Sequence, residues 1–445
     1  MSGTAMPATL PVQFSECVVF LSDEFEAYRP QLGGVIMFNA RLDQALLDRA
    51  LRLLLVAEPI LAYAFDPDLK RPMWRRVEHL DQIPLLYVRD SSAPDADAAA
   101  FVATRMDPTA GLGIAAMLLR GTEGDTLAVR VSHVTMDGGG LKEALYLLAN
   151  IYQRLHEDPG WAPEPNTGAL RHATTDAGLL EKLRLLSESK FEILPESDWH
   201  GPDISETGPA RYVRATVEPD VLKRAAALGR PVGATVNDIL VAAYYRTLFR
   251  VLGPAPGSRT PLMMTVDLRK HLPQGTRVAL ANLSSTWTIR VPPVDSEDFD
   301  ATLARVVEAT REWKETDAGR ANAVADAIGN RLIGRRALGL FRKQFEKVAT
   351  AGDGEARGTL QLITNIGLID EERLDFADNL IADAWLLGPI VPRGVGLVAS
   401  TYRDRMSLSH GTEFSDSDVA VVMEVVEGTA AEIESWVQAS RVSVA

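Results

Sequence analysis

The sequence predicts an α/β protein of two halves, each a layer of strands covered by helices. Three observations carry this. Short β-prone apolar runs alternate with stretches whose apolar residues recur at helical spacing. The alternation breaks once, between 157 and 209, where Pro159, Pro163, Pro165, Pro195, Pro202 and Pro209 punctuate the chain. At 445 residues the chain also exceeds what one core of roughly 150 residues holds. The expected division is a first half at 1–158, a linker at 159–209 and a second half at 210–445.

The elements follow in order. The run 35–39, after Gly33-Gly34, reads as a strand, and 42–56 repeats leucine and alanine at helical spacing until Pro59 stops it. Runs 114–119 and 126–134 are β-prone and joined by Gly121-Thr122-Glu123-Gly124-Asp125, a polar connection of hairpin length. Beyond the glycines at 138–140, Leu141, Ala144, Leu145, Leu148, Ile151, Tyr152 and Leu155 fall on one helical face. The linker holds one charged helical piece around 179–191. The second half restarts with a strand at 212–217, helices at 221–228 and 235–252, and a strand at 261–266. Further strands are expected at 284–291, 359–366 and 396–402, with helices around 301–314 and 330–348. There is no fixed-period repeat.

Composition limits the function. Hydrophobic residues at 46% and charged residues at 24% are globular proportions. Lys plus Arg is 46 and Asp plus Glu is 60, so the net charge of −14 repels phosphate backbones and anionic lipid. Nucleic acid is not expected as a partner. Cys17 is the one cysteine, which excludes an intrachain disulfide and a cysteine-rich metal cluster and fits the cytoplasm. The longest apolar stretches are interrupted by Glu58 in one case and by Asp383, Pro389 and Arg393 in another, too early to span a bilayer, and the N-terminus has no basic-then-apolar export pattern.

The sharpest feature is Val131-Ser132-His133-Val134-Thr135-Met136-Asp137-Gly138-Gly139-Gly140, where a strand ends and a helix begins. His133 alternates with Leu127, Val129 and Val131, which places it at the C-terminal tip of that strand, where α/β sheets carry reactive groups. A histidine near neutral pH can take a proton from a hydroxyl or amine and return it to a leaving group. A carboxylate touching it would keep it protonated, so Asp137 is expected to point away, toward an arginine. The three glycines permit positive φ and close approach of a substrate, and the amides opening the helix face a forming oxyanion. The alternative is a plain strand–helix turn, because Asp before glycines is an ordinary cap.

His133 to Gly138, with the helix after it, resembles the active-site motif of the chloramphenicol acetyltransferase-like superfamily. That group includes condensation domains, polyketide-associated acyltransferases, wax ester synthases and BAHD acyltransferases. Ser132 stands where many bacterial members carry a first histidine. Other stretches are similar in order and spacing: Leu42 to Leu47 through Leu61, Met106-Asp107-Pro108, Gly233 to Leu240, and Val266-Asp267-Leu268-Arg269 followed by Asn282. The BAHD-type Asp-Phe-Gly-Trp-Gly motif is missing, and Thr364-Asn365-Ile366-Gly367 occupies the comparable region. The resemblance implies two acetyltransferase-like subdomains, each a mixed sheet flanked by helices, with a tunnel between them. It implies acyl transfer from acyl-coenzyme A or an acyl-carrier phosphopantetheine thioester to a hydroxyl or amine, in bacterial lipid or secondary metabolism. His133 and Gly138 are then the catalytic residues, Asp137 and Arg269 hold the site, and Ser132, Asn282, Ser284 and Thr364 bind substrate. No metal or permanently bound cofactor is implied. A free-standing condensation domain joining substrates bound to a carrier protein, and a catalytically silent binding relative, are the alternatives.

Other features carry less. Gly111 to Ala116 and Gly394 to Ala399 echo a dinucleotide fingerprint but each leads into a strand. Cys17 reads as a buried small residue. His79, His156, His172, His200 and His271 show no metal-ligand pairing, and His410 reads as a strand-end residue. Trp287 and Tyr402 are expected in core, with tunnel lining as the alternative.

Overall fold

Two mixed sheets carry the chain in a computed structural model that describes residues 6–24, 29–67, 72–167, 171, 178–188, 197–199, 207–315, 318–332, 339, 342–343, 361–377, 379–391 and 394–442. The first half runs β1 (Thr9–Pro11), α1 (Phe14–Glu24), β2 (Gln31–Phe38), α2 (Gln44–Ala57), β3 (Tyr63–Asp66), β4 (Met73–Arg76), β5 (Leu86–Asp90), α3 (Pro94–Ala103), β6 (Ile114–Arg120), β7 (Asp125–Ser132) and α4 (Gly138–Glu157). The Asp43 carboxylate caps α2 by accepting from the Ala45 and Leu46 amides. Strand β2 begins four residues before the expected run and includes both glycines. Glycine is a poor strand residue, but a Cβ on Gly33 would lie 2.3 Å from Val102 of α3 and one on Gly34 would lie 2.6 Å from Leu145 of α4. The strand is gripped between helices on both faces.

The second half runs α5 (Leu179–Glu188), β8 (Thr207–Val217), α6 (Pro219–Gly229), α7 (Val236–Leu252), β9 (Pro261–Asp267), β10 (Ser284–Arg290), α8 (Phe299–Glu315), α9 (Ala318–Leu332), β11 (Gln361–Leu368), β12 (Ile381–Leu387), β13 (Gly396–Tyr402), β14 (Arg405–Phe414) and α10 (Val419–Val442). Helix α7 starts in a capping box, with Thr235 and Asp238 satisfying each other's backbone amides. Of the helix expected at 330–348, all but a few residues lie outside the described chain, as do residues 359–360 of the strand expected at 359–366 and 189–191 of the linker helix. The two glycine-rich lookalikes lead into β6 and β13, both strands.

The larger sheet has the order β10-β9-β11-β13-β14-β8, with β11 parallel to both β9 and β13. The other large sheet is β12-β2-β7-β6-β5. Its edge strand β12 comes from late in the sequence and pairs antiparallel with β2. Neither sheet closes on itself, and a small three-stranded sheet β1-β4-β3 completes the set. One core lies under α2 and α4 and takes in Phe376, Ile381 and Tyr402 from beyond the linker. The other is built on α7 and α10 and contains Trp287. Both aromatic residues are thus core.

Candidate active site

His133 is set by a tight turn that links β7 to α4. Strand pairing ends at the rung Gln31↔Ser132, and the His133 amide then donates to Pro30 O at 2.6 Å. Ser132 O accepts from the Thr135 and Met136 amides, and Ser132 Oγ accepts from the Val134 amide at 3.3 Å. Val134 and Met136 are buried and anchor the turn, while His133 stays half-buried.

The loop between β9 and β10 reaches this turn from the second half. Arg269 grips Asp137 with both nitrogens, Nη2 to Oδ1 at 2.9 Å and Nη1 to Oδ2 at 3.1 Å. The Gly140 amide donates to Asp137 Oδ1 at 2.7 Å and the Leu283 amide to Oδ2 at 2.7 Å. Burial penalises this carboxylate, but the guanidinium and the amides overcome the penalty and hold it below the usual carboxylate range. Arg269 also donates to Ala281 O and to Asp267 Oδ1. Burial disfavours its charge, yet Asp137 and Asp267 raise its pKa further. The Asp137 oxygens are therefore occupied by four donors, none of them the imidazole.

Asn282, in the same loop, determines the state of His133. Its Nδ2 donates to His133 O at 2.8 Å and Val134 O at 3.0 Å. Two carbonyl acceptors fix the orientation of the amide, so Oδ1 must face the ring. His133 Nδ1 lies 3.0 Å from Asn282 Oδ1 and 3.0 Å from Met136 O. A nitrogen between two acceptors carries the proton, which leaves the lone pair on Nε2. Burial pushes the imidazole pKa below its ordinary value, against the opposing pull of Asp137 and the Asn282 and Met136 oxygens. Burial thus favours the neutral ring, with Nε2 as its basic atom.

Helix α4 opens at Gly138 with Asp137 as its cap. The amides of Gly138 and Gly139 lie in the first turn, where a helix offers them no internal acceptor. None of Gly138, Gly139 and Gly140 uses the positive φ that glycine permits. Close packing requires them instead: a Cβ on Gly138 would lie 2.9 Å from Ile366 Cδ1, one on Gly139 2.7 Å from Arg269 Nη1, and one on Gly140 2.8 Å from Met136 Cβ.

The residues expected to bind substrate separate. Ser132 is buried within the turn, and Asn282 is buried with its amide directed at the His133 loop. Ser284 opens β10 and Thr364 lies in β11, both half-buried. Sequence reasoning missed Ile366, which packs on Gly138, and Lys142, whose Nζ donates to Ile366 O and Leu368 O at 3.0 Å each. Neither contact has a signal in the sequence, because each joins segments more than 200 residues apart. Cys17 is buried, and burial raises its thiol pKa. His410 is not at a strand end but inside β14, buried at 2% exposure. His172 and His200 lie outside the described residues.

No family model matches the sequence, and no curated protein matches it. Solved structures do match the fold. Polyketide synthase associated protein 5 from Mycobacterium tuberculosis superposes with a TM-score of 0.63 at 15% identity, over 96% of this chain and 99% of that one. The first condensation domain of the CDA synthetase gives 0.62 at 17% identity, over 96% of each chain. A trichothecene 15-O-acetyltransferase from Fusarium sporotrichioides gives 0.67 at 14% identity, over 95% of each. All share one architecture, and this chain has it: the chloramphenicol acetyltransferase-like fold, with mixed sheets flanked by helices in two subdomains. Among the described residues no helix is long and apolar enough to cross a membrane.

Proposed function

We propose that the protein is an acyltransferase that moves an acyl group from a thioester, on coenzyme A or a carrier protein's phosphopantetheine, directly to a hydroxyl or amine. One observation carries the reading: Nδ1 of a neutral, half-buried His133 is held between two acceptors, so Nε2 is the base. As the acceptor's oxygen or nitrogen attacks the thioester carbonyl, its proton passes to Nε2. The C–S bond then breaks and the imidazolium returns that proton to the departing thiolate. The first-turn amides of α4, at Gly138 and Gly139, oppose the charge on the carbonyl oxygen in between. Asp137, Arg269 and Asn282 are positioning residues that hold the turn. In this reading the substrates meet at His133 through a tunnel between the halves, and no acyl-enzyme is formed.

The likeness of fold to an acetyltransferase and a polyketide-associated protein supports this reading. The test is His133→Ala: acceptor-dependent thioester consumption falls by about a thousandfold or more while the melting temperature stays nearly constant. Retained turnover would end the assignment. The condensation domain that covers 96% of each chain favours a second reading, in which both substrates are carrier-bound. Offering acyl-coenzyme A and acyl-carrier protein side by side separates the two. A wild-type protein that consumes neither is a silent binding relative.

A further inference from the structure

The larger sheet turns one face toward the core of α7 and α10, with Leu262, Met264, Val266, Trp287, Ile289 and Ile363 directed inward. By alternation Thr265, Thr286, Thr288, Ser284 and Thr364 lie on the opposite face, with Met263 and Leu362 in the next row beside Thr288. Thr286 pairs with Thr265 across β10 and β9, and β11 runs beside β9 in the register Ile363↔Met264, so Thr364 extends the same row. With strands about 4.8 Å apart, three hydroxyls are set across about 10 Å. Ser284 is two residues, or about 7 Å, along β10 toward the His133 turn. It directly follows Leu283, whose amide binds Asp137. At the same end β11 bulges between Asn365 and Gly367, where Gly367 takes φ +81° and Ile366 is brought against Gly138.

These hydroxyls differ from several buried ones of the second half. Thr260, Thr302, Thr310 and Ser409 are buried and each donates to a protein oxygen. The side chains of Thr265, Thr286, Thr288, Ser284 and Thr364 are half-buried and make no hydrogen bond to the protein among the described residues. A partly desolvated hydroxyl is costly to cover with hydrocarbon and favourable to cover with a group that donates or accepts. We propose that this face is a substrate shelf that takes a hydroxyl- or amide-bearing segment laid across the strands and disfavours an unbranched alkyl chain. The inference rests on the reading of His133 as the transfer centre. The polar segment can come from the acceptor or from the amide-bearing arm of the thioester donor.

The test is calorimetric titration of His133→Ala protein, which cannot turn substrates over, with pantetheine, 1-O-octylglycerol and n-octanol. At least one polar probe is expected to bind about tenfold or more tightly than octanol. Adding Thr265→Val, Thr286→Val and Thr364→Val together weakens that probe by about tenfold or more and leaves octanol unchanged or tighter. Loss of pantetheine binding assigns the shelf to the donor arm, and loss of octylglycerol binding assigns it to the acceptor. Octanol binding as well as the polar probes, no binding by any probe, or a triple variant that binds like its parent overturns the shelf. A melting temperature lowered by the triple substitution also overturns it, because hydroxyls without protein partners contribute no such stability. Transfer by the wild type is measured apart. If it is absent while the shelf still selects a polar probe, the acyltransfer reading falls and the binding site stands.

Discussion

Asn282 links His133 to its own turn: it donates to the His133 and Val134 carbonyls and accepts from Nδ1. Asp137 is engaged elsewhere and acts on the ring only through its field. A base works in its neutral form, so the acid limb of kcat/KM reports the His133 pKa. Because burial lowers that pKa, the wild-type limb is expected below the ordinary 6.5, and activity persists as pH falls past it. Asn282→Asp places a carboxylate beside Nδ1 and moves the limb to higher pH. Asn282→Ala frees the ring to rotate, lowering kcat by about ten- to a hundredfold with a smaller change in KM. A purely structural role for Asn282 would leave the pH profile where it is.

At the scale of elements, α4 and β11 are tight where Gly138 meets Ile366. Gly138→Ala forces a methyl to within 2.9 Å of Ile366 Cδ1, an overpacking expected to destabilise by about 1–3 kcal/mol. Ile366→Val removes that Cδ1 and should recover part of the loss, so denaturant melts of the two single variants and the double will be non-additive. Strand β14 carries a second device. His410 Nδ1 accepts from the Gly396 amide at 3.1 Å, which places the proton on Nε2, and that atom is buried with no hydrogen-bond partner among the described residues. Burial holds the His410 pKa near 4, against 6.5 when unfolded. Between those values the unfolded chain binds the extra proton. Stability is therefore complete above about pH 6.5 and falls by ~3 kcal/mol as pH drops to about 4. Unfolding free energies measured across that window should lose this slope in His410→Leu.

At the scale of the molecule, the Asp137–Arg269 pair joins the halves. The pair is largely buried, so Arg269→Gln leaves the Asp137 carboxylate without its cation and should cost about 3–5 kcal/mol, whereas Asp137→Asn leaves Arg269 its second partner Asp267 and should cost less. The double variant should cost less than the sum, which a thermodynamic cycle measures directly. The halves are also entwined through β12, which completes the sheet of β2 and β7 while its own neighbours in sequence belong to the other sheet. Phe376 and Tyr402 enter the first core from the same region. A fragment of residues 1–158 would lack that edge strand and those side chains. It should show no cooperative thermal transition, and a fragment that melts like a folded domain would refute the point.

Local pattern alone revealed the alternating layers, the hairpin of β6 and β7, the long face of α4 and the His133–Asp137 motif, because each is a contiguous signal with its own period or turn chemistry. The short strands β1, β3, β4 and β5 escaped because β1 and β5 are mostly exposed and β3 and β4, at four residues each, are too short a run to register, although β3 alternates in burial. Helix α10 was hidden by a valine-rich start that reads as strand, though Val422, Val425, Val426, Ala430, Ile433 and Trp436 hold a helical spacing. Residues 381–387 appeared only as an interrupted apolar stretch. The choice of β12 as partner to β2, the tautomer of His133, the packing of Ile366 on Gly138 and the row of hydroxyls across three strands depend on segments distant in sequence. Periodicity specifies which face a residue takes within its own element. Which element that face meets is decided only when loop closure and burial settle the whole chain at once.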